Sequence, residues 1–258
     1  MLLAIDSGNP FSLKDKLILI TGASSGIGRQ TAIECSRMGA RLILVARRVE
    51  ELEKTRDDLC GGDHVIVPQD LSIGEKLVPW VRELSTKHGV LDGLVHSAGF
   101  AITMPIMATT EPMYRQMMSI NLDASYWLLK GFRQRGSHSA TASVVLIGSV
   151  SGIVGVPGLT SYCASKAGLI GLTHAAALEL VKDGIRVNTI SPALVDTELA
   201  KTYSEAIPTE KKAETLSLHP MGLGRAEDVA YAAVYLLSNA SRWVTGINLV
   251  VDGGYTAR

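Results

Sequence analysis

The chain has 258 residues, 47% apolar and 19% charged, with 25 basic residues balanced by 25 acidic ones. That length and composition fit one globular unit with a sizeable core, and zero net charge without long runs of either sign leaves no electrostatic footprint for nucleic acid or an anionic membrane. Three cysteines, Cys35, Cys60 and Cys163, without CxxC spacing, imply neither a disulfide framework nor a metal site and suit a reducing cytoplasm.

Residues 1–14 read as an N-terminal extension, and an early Asp6 with no basic n-region argues against a signal peptide. No apolar run approaches the roughly eighteen residues needed to span a bilayer. From Leu17 onward, short apolar runs at 17–20, 41–46, 64–67, 93–98, 143–148, 185–191 and 247–251 alternate with stretches of helical period. This predicts a single α/β domain over 1–258, a doubly wound Rossmann fold. Its seven-stranded, mainly parallel sheet is covered on both faces and binds ligands at the carboxyl ends of the strands.

Directly after the first strand, TGASSGIG (21–28) opens a helix predicted from about Arg29 to Met38. Gly22, Gly26 and Gly28, interleaved with Ser24, Ser25 and Ile27, let the backbone approach a pyrophosphate. The helix N-terminus adds free N–H groups and a positive dipole end. The second strand ends at Ala46-Arg47-Arg48, where NAD would need a carboxylate to accept from its ribose hydroxyl. Two arginines and no carboxylate predict NADP(H), with Arg47 and Arg48 at its 2′-phosphate.

Further on, the apolar run VVLIGS delivers Ser149 to the active edge of the sheet, where its hydroxyl can steady a carbonyl oxygen. Tyr162 and Lys166 stand four residues apart, so on a helix an ammonium lies beside a phenol. Lowering a phenol from its usual pKa near 10 by about three units takes roughly 4 kcal/mol. One unit charge about 4 Å away, at an effective dielectric of about 20, supplies that much. Cys163 reads as a small buried helix residue rather than a nucleophile.

In order and spacing these motifs resemble the short-chain dehydrogenase/reductase family over nearly the whole chain. TGASSGIG matches its TGxxxGxG, Asp70-Leu71 its acidic position beside the adenine, and Asn121, Ser149, Tyr162 and Lys166 its Asn-Ser-Tyr-Lys tetrad. The resemblance implies that Lys166 holds the nicotinamide ribose, that Asn121 anchors a water linking Lys166 to solvent, and that Pro192, Val195 and Thr197 lie at the carboxamide and phosphates. It also implies a mobile substrate lid over 196–224. Two departures stand out. His96-Ser97-Ala98-Gly99 replaces Asn-Asn-Ala-Gly, so the bracing of the fourth strand needs another donor, and His96 reads as structural rather than as a base. Ser191-Pro192-Ala193 replaces Pro-Gly and adds a Cβ near the nicotinamide.

The expected function is an NADP(H)-dependent oxidoreductase interconverting a ketone and a secondary alcohol, with Tyr162 as general acid/base and no metal. Two alternatives are a 3-oxoacyl-[acyl-carrier-protein] reductase and a non-catalytic NADPH-binding regulator. Docking an acidic carrier needs a basic patch, yet residues 137–142 read SHSATA and the catalytic helix ends in Lys182-Asp183-Gly184, with Arg133 and Arg135 just upstream. Small residues on that helix, Ala164, Ala167, Gly168, Gly171 and Ala175, together with INLVVDGGY, predict a homotetramer with two-fold axes.

Overall fold

A computed structural model describes residues 8–206 and 209–257. Met1–Ser7 of the expected extension, Ile207 and Pro208 of the expected lid, and Arg258 lie outside the described residues. The strands are β1 (Leu17–Thr21), β2 (Arg41–Ala46), β3 (Val65–Pro68), β4 (Leu91–His96), β5 (His138–Ile147), β6 (Ile185–Pro192) and β7 (Asn248–Val251). They form one sheet in the order β3-β2-β1-β4-β5-β6-β7, and every pairing is parallel. Each expected strand is present, with shifted ends. β5 begins at His138 rather than 143, past a register irregularity opposite Leu91 and Gly93, and β4 ends at His96, which leaves Ser97 and Ala98 beyond the sheet.

The helices are α1 (Gly26–Arg37), α2 (Val49–Asp57), α3 (Leu77–His88), α4 (Glu111–Met118), α5 (Ala124–Phe132), α6 (Thr160–Leu180), α7 (Glu198–Ala206), α8 (Thr209–Ser217) and α9 (Ala226–Leu237). α1 starts inside the glycine-rich turn, three residues earlier than its apolar pattern suggests. The strands carry continuous apolar runs because both faces are buried. Leu17 and Leu19 of β1 share a core with Leu77 and Val81 of α3, Phe132 of α5 and Leu169 of α6. Ile18 and Ile20 enter a second core with Ala32 and Cys35 of α1 and Val229 and Ala233 of α9. Truncating a side chain as fully enclosed as Phe132 to alanine typically costs about 3–5 kcal/mol.

β1 pairs with β2 on one side and β4 on the other, so the winding reverses there and a crevice opens at the carboxyl ends of β1 and β4. The last residues of these strands, Thr21 and His96, are register partners. Thr21 supplies the brace that the sequence left open. Its Oγ1 lies 2.8 Å from His96 Nδ1 and accepts from Ala98 N–H at 3.4 Å, while its carbonyl accepts from Ser97 N–H at 3.2 Å.

His96 is 1% exposed, and burial first, then the nearby Lys166 charge, push its pKa down to about 3. The ring is therefore neutral at neutral pH and structural, as expected. The unfolded chain takes up a proton near pH 6.5 that the fold refuses until about pH 3, so this residue's contribution to stability is lost as pH falls through that window. His96→Asn should therefore show a shallower loss of stability between pH 7 and pH 4 in urea titrations. The gap from wild type should reach about 3 kcal/mol at the acid end. Parallel losses in the two proteins would clear His96 of responsibility for acid sensitivity.

Candidate active site

Two joined recesses occupy the crevice. The outer one is a groove of about 610 Å³, bounded by the turn residues Gly22, Ser24, Ser25 and Gly26 and by Arg47 and Arg48 after β2. Asp70 and Leu71 close its far side, and Ser97 and Ala98 form its wall after β4. The inner one is a cavity of about 180 Å³ that holds Ser149, Tyr162 and Lys166, with Pro192 and Val195 from the end of β6. Ile27, Ser97, Gly99, Phe100, Thr197 and Leu199 line both, so the groove runs into the cavity. Of the expected site residues, Gly28 and Asn121 line neither recess and act from behind the wall.

The groove is a cradle for a dinucleotide. Gly22 has φ +69° and a Cβ there would stand 2.7 Å from Ala98 N, while a Cβ on Gly28 would collide with the Gly22 carbonyl, so the turn, β4 and α1 close up only with glycines. Ser25 does not cap α1 with its side chain, and the first-turn N–H groups are left for a phosphate at the positive end of the helix. Arg48 reaches across and donates to Ser25 Oγ at 3.2 Å and Ser24 Oγ at 3.4 Å. Asp70 caps the next turn by accepting from Ser72 N–H and Ser72 O–H, bonds that, with the Arg47 charge, hold its carboxyl below the usual range.

Sequence places no carboxylate at the ribose end, but Glu198, the first residue of α7, comes in from the lid and stands 3.7 Å from Arg48. The expected lid is a pair of short helices, α7 and α8, and its ends are tied together. Val195 and Gly224 form a parallel bridge in which Asp196 N–H donates to the Gly224 carbonyl at 2.9 Å and Gly224 N–H to the Leu194 carbonyl at 3.1 Å.

Tyr162 and Lys166 sit in the first two turns of α6, one above the other. Lys166 is 6% exposed, and its Nζ donates to the Ile147 carbonyl at the end of β5, 2.7 Å away, and lies 5.7 Å from the Tyr162 ring centroid. Ser149 Oγ accepts from Ser151 N–H at 3.1 Å and lines the same cavity as Tyr162.

The electrostatics differ from the expected lowering of the phenol. Burial pushes Tyr162 up to about 12, with the Ser149 hydrogen bond opposing it, and burial pushes Lys166 down to about 8. The reason is desolvation: the enclosure that would strengthen the ammonium's field disfavours the charged form of both partners.

Asn121 occupies a π-type turn, Ser119–Asp123, that interrupts the path from α4 to α5. Its Oδ1 accepts from Phe100 N–H at 3.0 Å. Its Nδ2 donates to the Phe100 carbonyl at 2.9 Å, with Ser165 Oγ at 3.2 Å and Met117 Sδ at 3.0 Å also in reach. The side-chain amide thus clamps the chain after β4 to α6.

Sequence reasoning passed over several cavity residues. Phe100 and Ala101 follow directly on the Ser97-Ala98-Gly99 motif and were within reach of it, whereas Val156, Leu159, His219 and Tyr255 carry no local signal.

Residues 22–256 match a family model described as enoyl-(acyl carrier protein) reductase. A galactitol 2-dehydrogenase (L-tagatose-forming) of Cereibacter sphaeroides is 34% identical over 98% of this chain and 99% of its own length. An NADP-dependent (R)-specific alcohol dehydrogenase of Lentilactobacillus kefiri is 32% identical over 95% and 98%. The crystal structure of a short-chain type dehydrogenase/reductase from Mycobacterium marinum superposes with a TM-score of 0.87 at 28% identity, covering 96% of this chain and 98% of that one. The motifs, the parallel sheet with its reversal at β1 and β4, and these full-length matches together establish that the chain belongs to the short-chain dehydrogenase/reductase family.

Proposed function

We propose that this oxidoreductase uses NADP(H) to interconvert a ketone and a secondary alcohol. The observation that carries the reading is the convergence of Ser149, Tyr162 and Lys166 on one small cavity continuous with the dinucleotide groove. When bound, the nicotinamide supplies or accepts the hydride. The protein's groups handle the oxygen. Ser149 donates a hydrogen bond to the carbonyl oxygen, and Tyr162 gives that oxygen its proton. A phenol pushed up to about 12 stays protonated across neutral pH, and a developing alkoxide is a far stronger base, so the transfer runs toward the substrate in the reducing direction. Lys166, fixed by the Ile147 carbonyl, stands under both as the site's cation and as the group to hold the ribose.

NADP(H) is favoured because Arg47 and Arg48 bound the ribose end of the groove while β2 contributes only Ala46. Glu198 is drawn to Arg48 and competes with a 2′-phosphate for the same guanidinium. A small or medium free substrate is favoured over one carried on an acidic protein. Of the two arginines upstream of β5, Arg133 and Arg135, the first is already paired with Asp183 at 2.7 Å. Free Cys35, Cys60 and Cys163 accord with a reducing cytoplasm. Among the described residues no helix is long and apolar enough to cross a membrane.

For assembly, Ala164, Ala167, Gly171 and Ala175 lie exposed along α6 and run on to Leu178, which is 80% exposed. Gly168 is not part of that stripe, because it faces inward with Leu122 filling the place of its Cβ. With exposed Trp243 and Val250 beside the β7 edge, this supports a homotetramer with two-fold axes.

Tyr162→Phe should lower kcat by about 100-fold or more, the lower end of what a positioned acid contributes, while cofactor titrations stay near wild type. Turnover near wild type on the best ketone found would remove the proton-donor role. Wild type should bind NADPH more tightly than NADH, Ala46→Asp with Arg47→Ile should reverse that order, and Glu198→Gln should tighten NADPH alone. A wild-type preference for NADH would sink the cofactor assignment. Sedimentation at micromolar concentration should show four subunits, and a stable monomer would refute the assembly.

A further inference from the structure

Resting on the oxidoreductase reading, we propose that His219 reads a hydroxyl on the substrate. The preferred substrate is then a compact ketone or secondary alcohol with an apolar body and one further hydroxyl remote from the reacting carbon.

His219 is 7% exposed, follows α8 on the return limb of the lid, and lines the inner cavity. Its Nδ1 lies 2.8 Å from the Thr215 carbonyl oxygen. A carbonyl only accepts, so Nδ1 donates to it, and in the tautomer that this bond selects Nε2 is the acceptor. The ring is held from a second side by Tyr255, with centroids 4.8 Å apart and planes inclined by 32°. Among the described residues no hydrogen bond reaches Nε2, although the side chain is more than nine-tenths buried. An acceptor of fixed orientation that opens on the cavity and has no protein partner is placed to take a donor from the ligand.

The rest of the wall sharpens the class. Phe100, Val156, Leu159, Leu194 and Leu199 make most of it apolar, and Ser151, Thr215 and Tyr255 add hydroxyls. Those hydroxyls rotate to donate or accept and so discriminate weakly, whereas Nε2 only accepts. A polyol would bury several hydroxyls against the apolar wall without partners, and a plain ketone would leave Nε2 unmatched. One remote hydroxyl on an apolar frame satisfies both. The cavity volume of about 180 Å³ limits that frame to roughly the size of a single ring.

The test measures kcat/KM for cyclohexanone and its three hydroxycyclohexanone isomers with NADPH and NADH. In wild type the best hydroxylated isomer should exceed cyclohexanone by about tenfold or more, mainly through KM. His219→Phe keeps a ring against Tyr255 but removes the acceptor, and should bring that ratio near one. His219→Gln, which restores a side-chain carbonyl, should recover part of it. Calorimetric titration of the cofactor-loaded Tyr162→Phe protein with the best isomer, with and without His219→Phe, reads the same contact without turnover. A wild-type ratio near one, or a ratio that survives in His219→Phe, overturns the role of His219 while ketone reduction that depends on Tyr162 leaves the oxidoreductase reading standing. Reduction of none of the four ketones with either cofactor, and no isomer binding by calorimetry, overturns both.

Discussion

One hydrogen bond, from Lys166 Nζ to the Ile147 carbonyl, holds the catalytic helix to the end of the sheet, and the rest of the site is arranged around it. Burial of this lysine, which is 6% exposed, pushes its pKa down to about 8, and the Ile147 carbonyl dipole faces its Nζ. The same bond ties α6 to the end of β5. Ser149 is two residues beyond Ile147 on the strand side and Tyr162 is one turn before Lys166 on the helix side, so a single contact brings the phenol and the serine hydroxyl together. Asn121 fixes the third side by joining Phe100 to Ser165 of α6. Gly99 completes the packing: a Cβ there would stand 3.1 Å from Asn121 Oδ1 and 3.6 Å from Lys166 Nζ.

This arrangement shows why a charge pair read from spacing alone misjudges the chemistry. At an effective dielectric of about 20 an ammonium stabilises a phenolate by on the order of 4 kcal/mol at contact distance. Burial acts on both partners at once, however, and disfavours each charged form: Tyr162 moves to about 12 and Lys166 to about 8. The resting site therefore favours a protonated phenol beside a lysine that holds its charge only moderately. Of the two forms of the phenol, the ionised one is then the costlier.

How much was legible in the sequence follows from how local each signal is. The seven strands announce themselves because both faces are buried and leave continuous apolar runs, and the turn from Gly22 to Gly28 because only glycine permits its approach to Ala98 and to its own carbonyl. Ser149, Tyr162 and Lys166 lie within one strand-to-helix segment, so their meeting can be read from spacing. The π-type turn at Asn121 has no compositional mark, since the helical pattern on either side of it is continuous. Glu198 and His219 are illegible for a different reason: they reach Arg48 and Tyr255 across about 150 and 36 positions of chain, through a lid whose path depends on packing and not on periodicity.

The bridge between Val195 and Gly224 gives that lid a particular freedom. Because the two ends are fastened to each other, the segment between them is a closed loop whose stability cost depends on its length only logarithmically. Doubling such a loop adds only about 0.6 kcal/mol of closure entropy. β6 lies on the far side of the fastening, whereas the loop itself reaches the groove through Glu198 and the cavity through Leu199 and His219. Residues can be added to or removed from α7 and α8, and the substrate wall redrawn, with the sheet and the Lys166 anchor left as they are. The stretch of cavity wall that this loop contributes is thus the one whose length the fold constrains least.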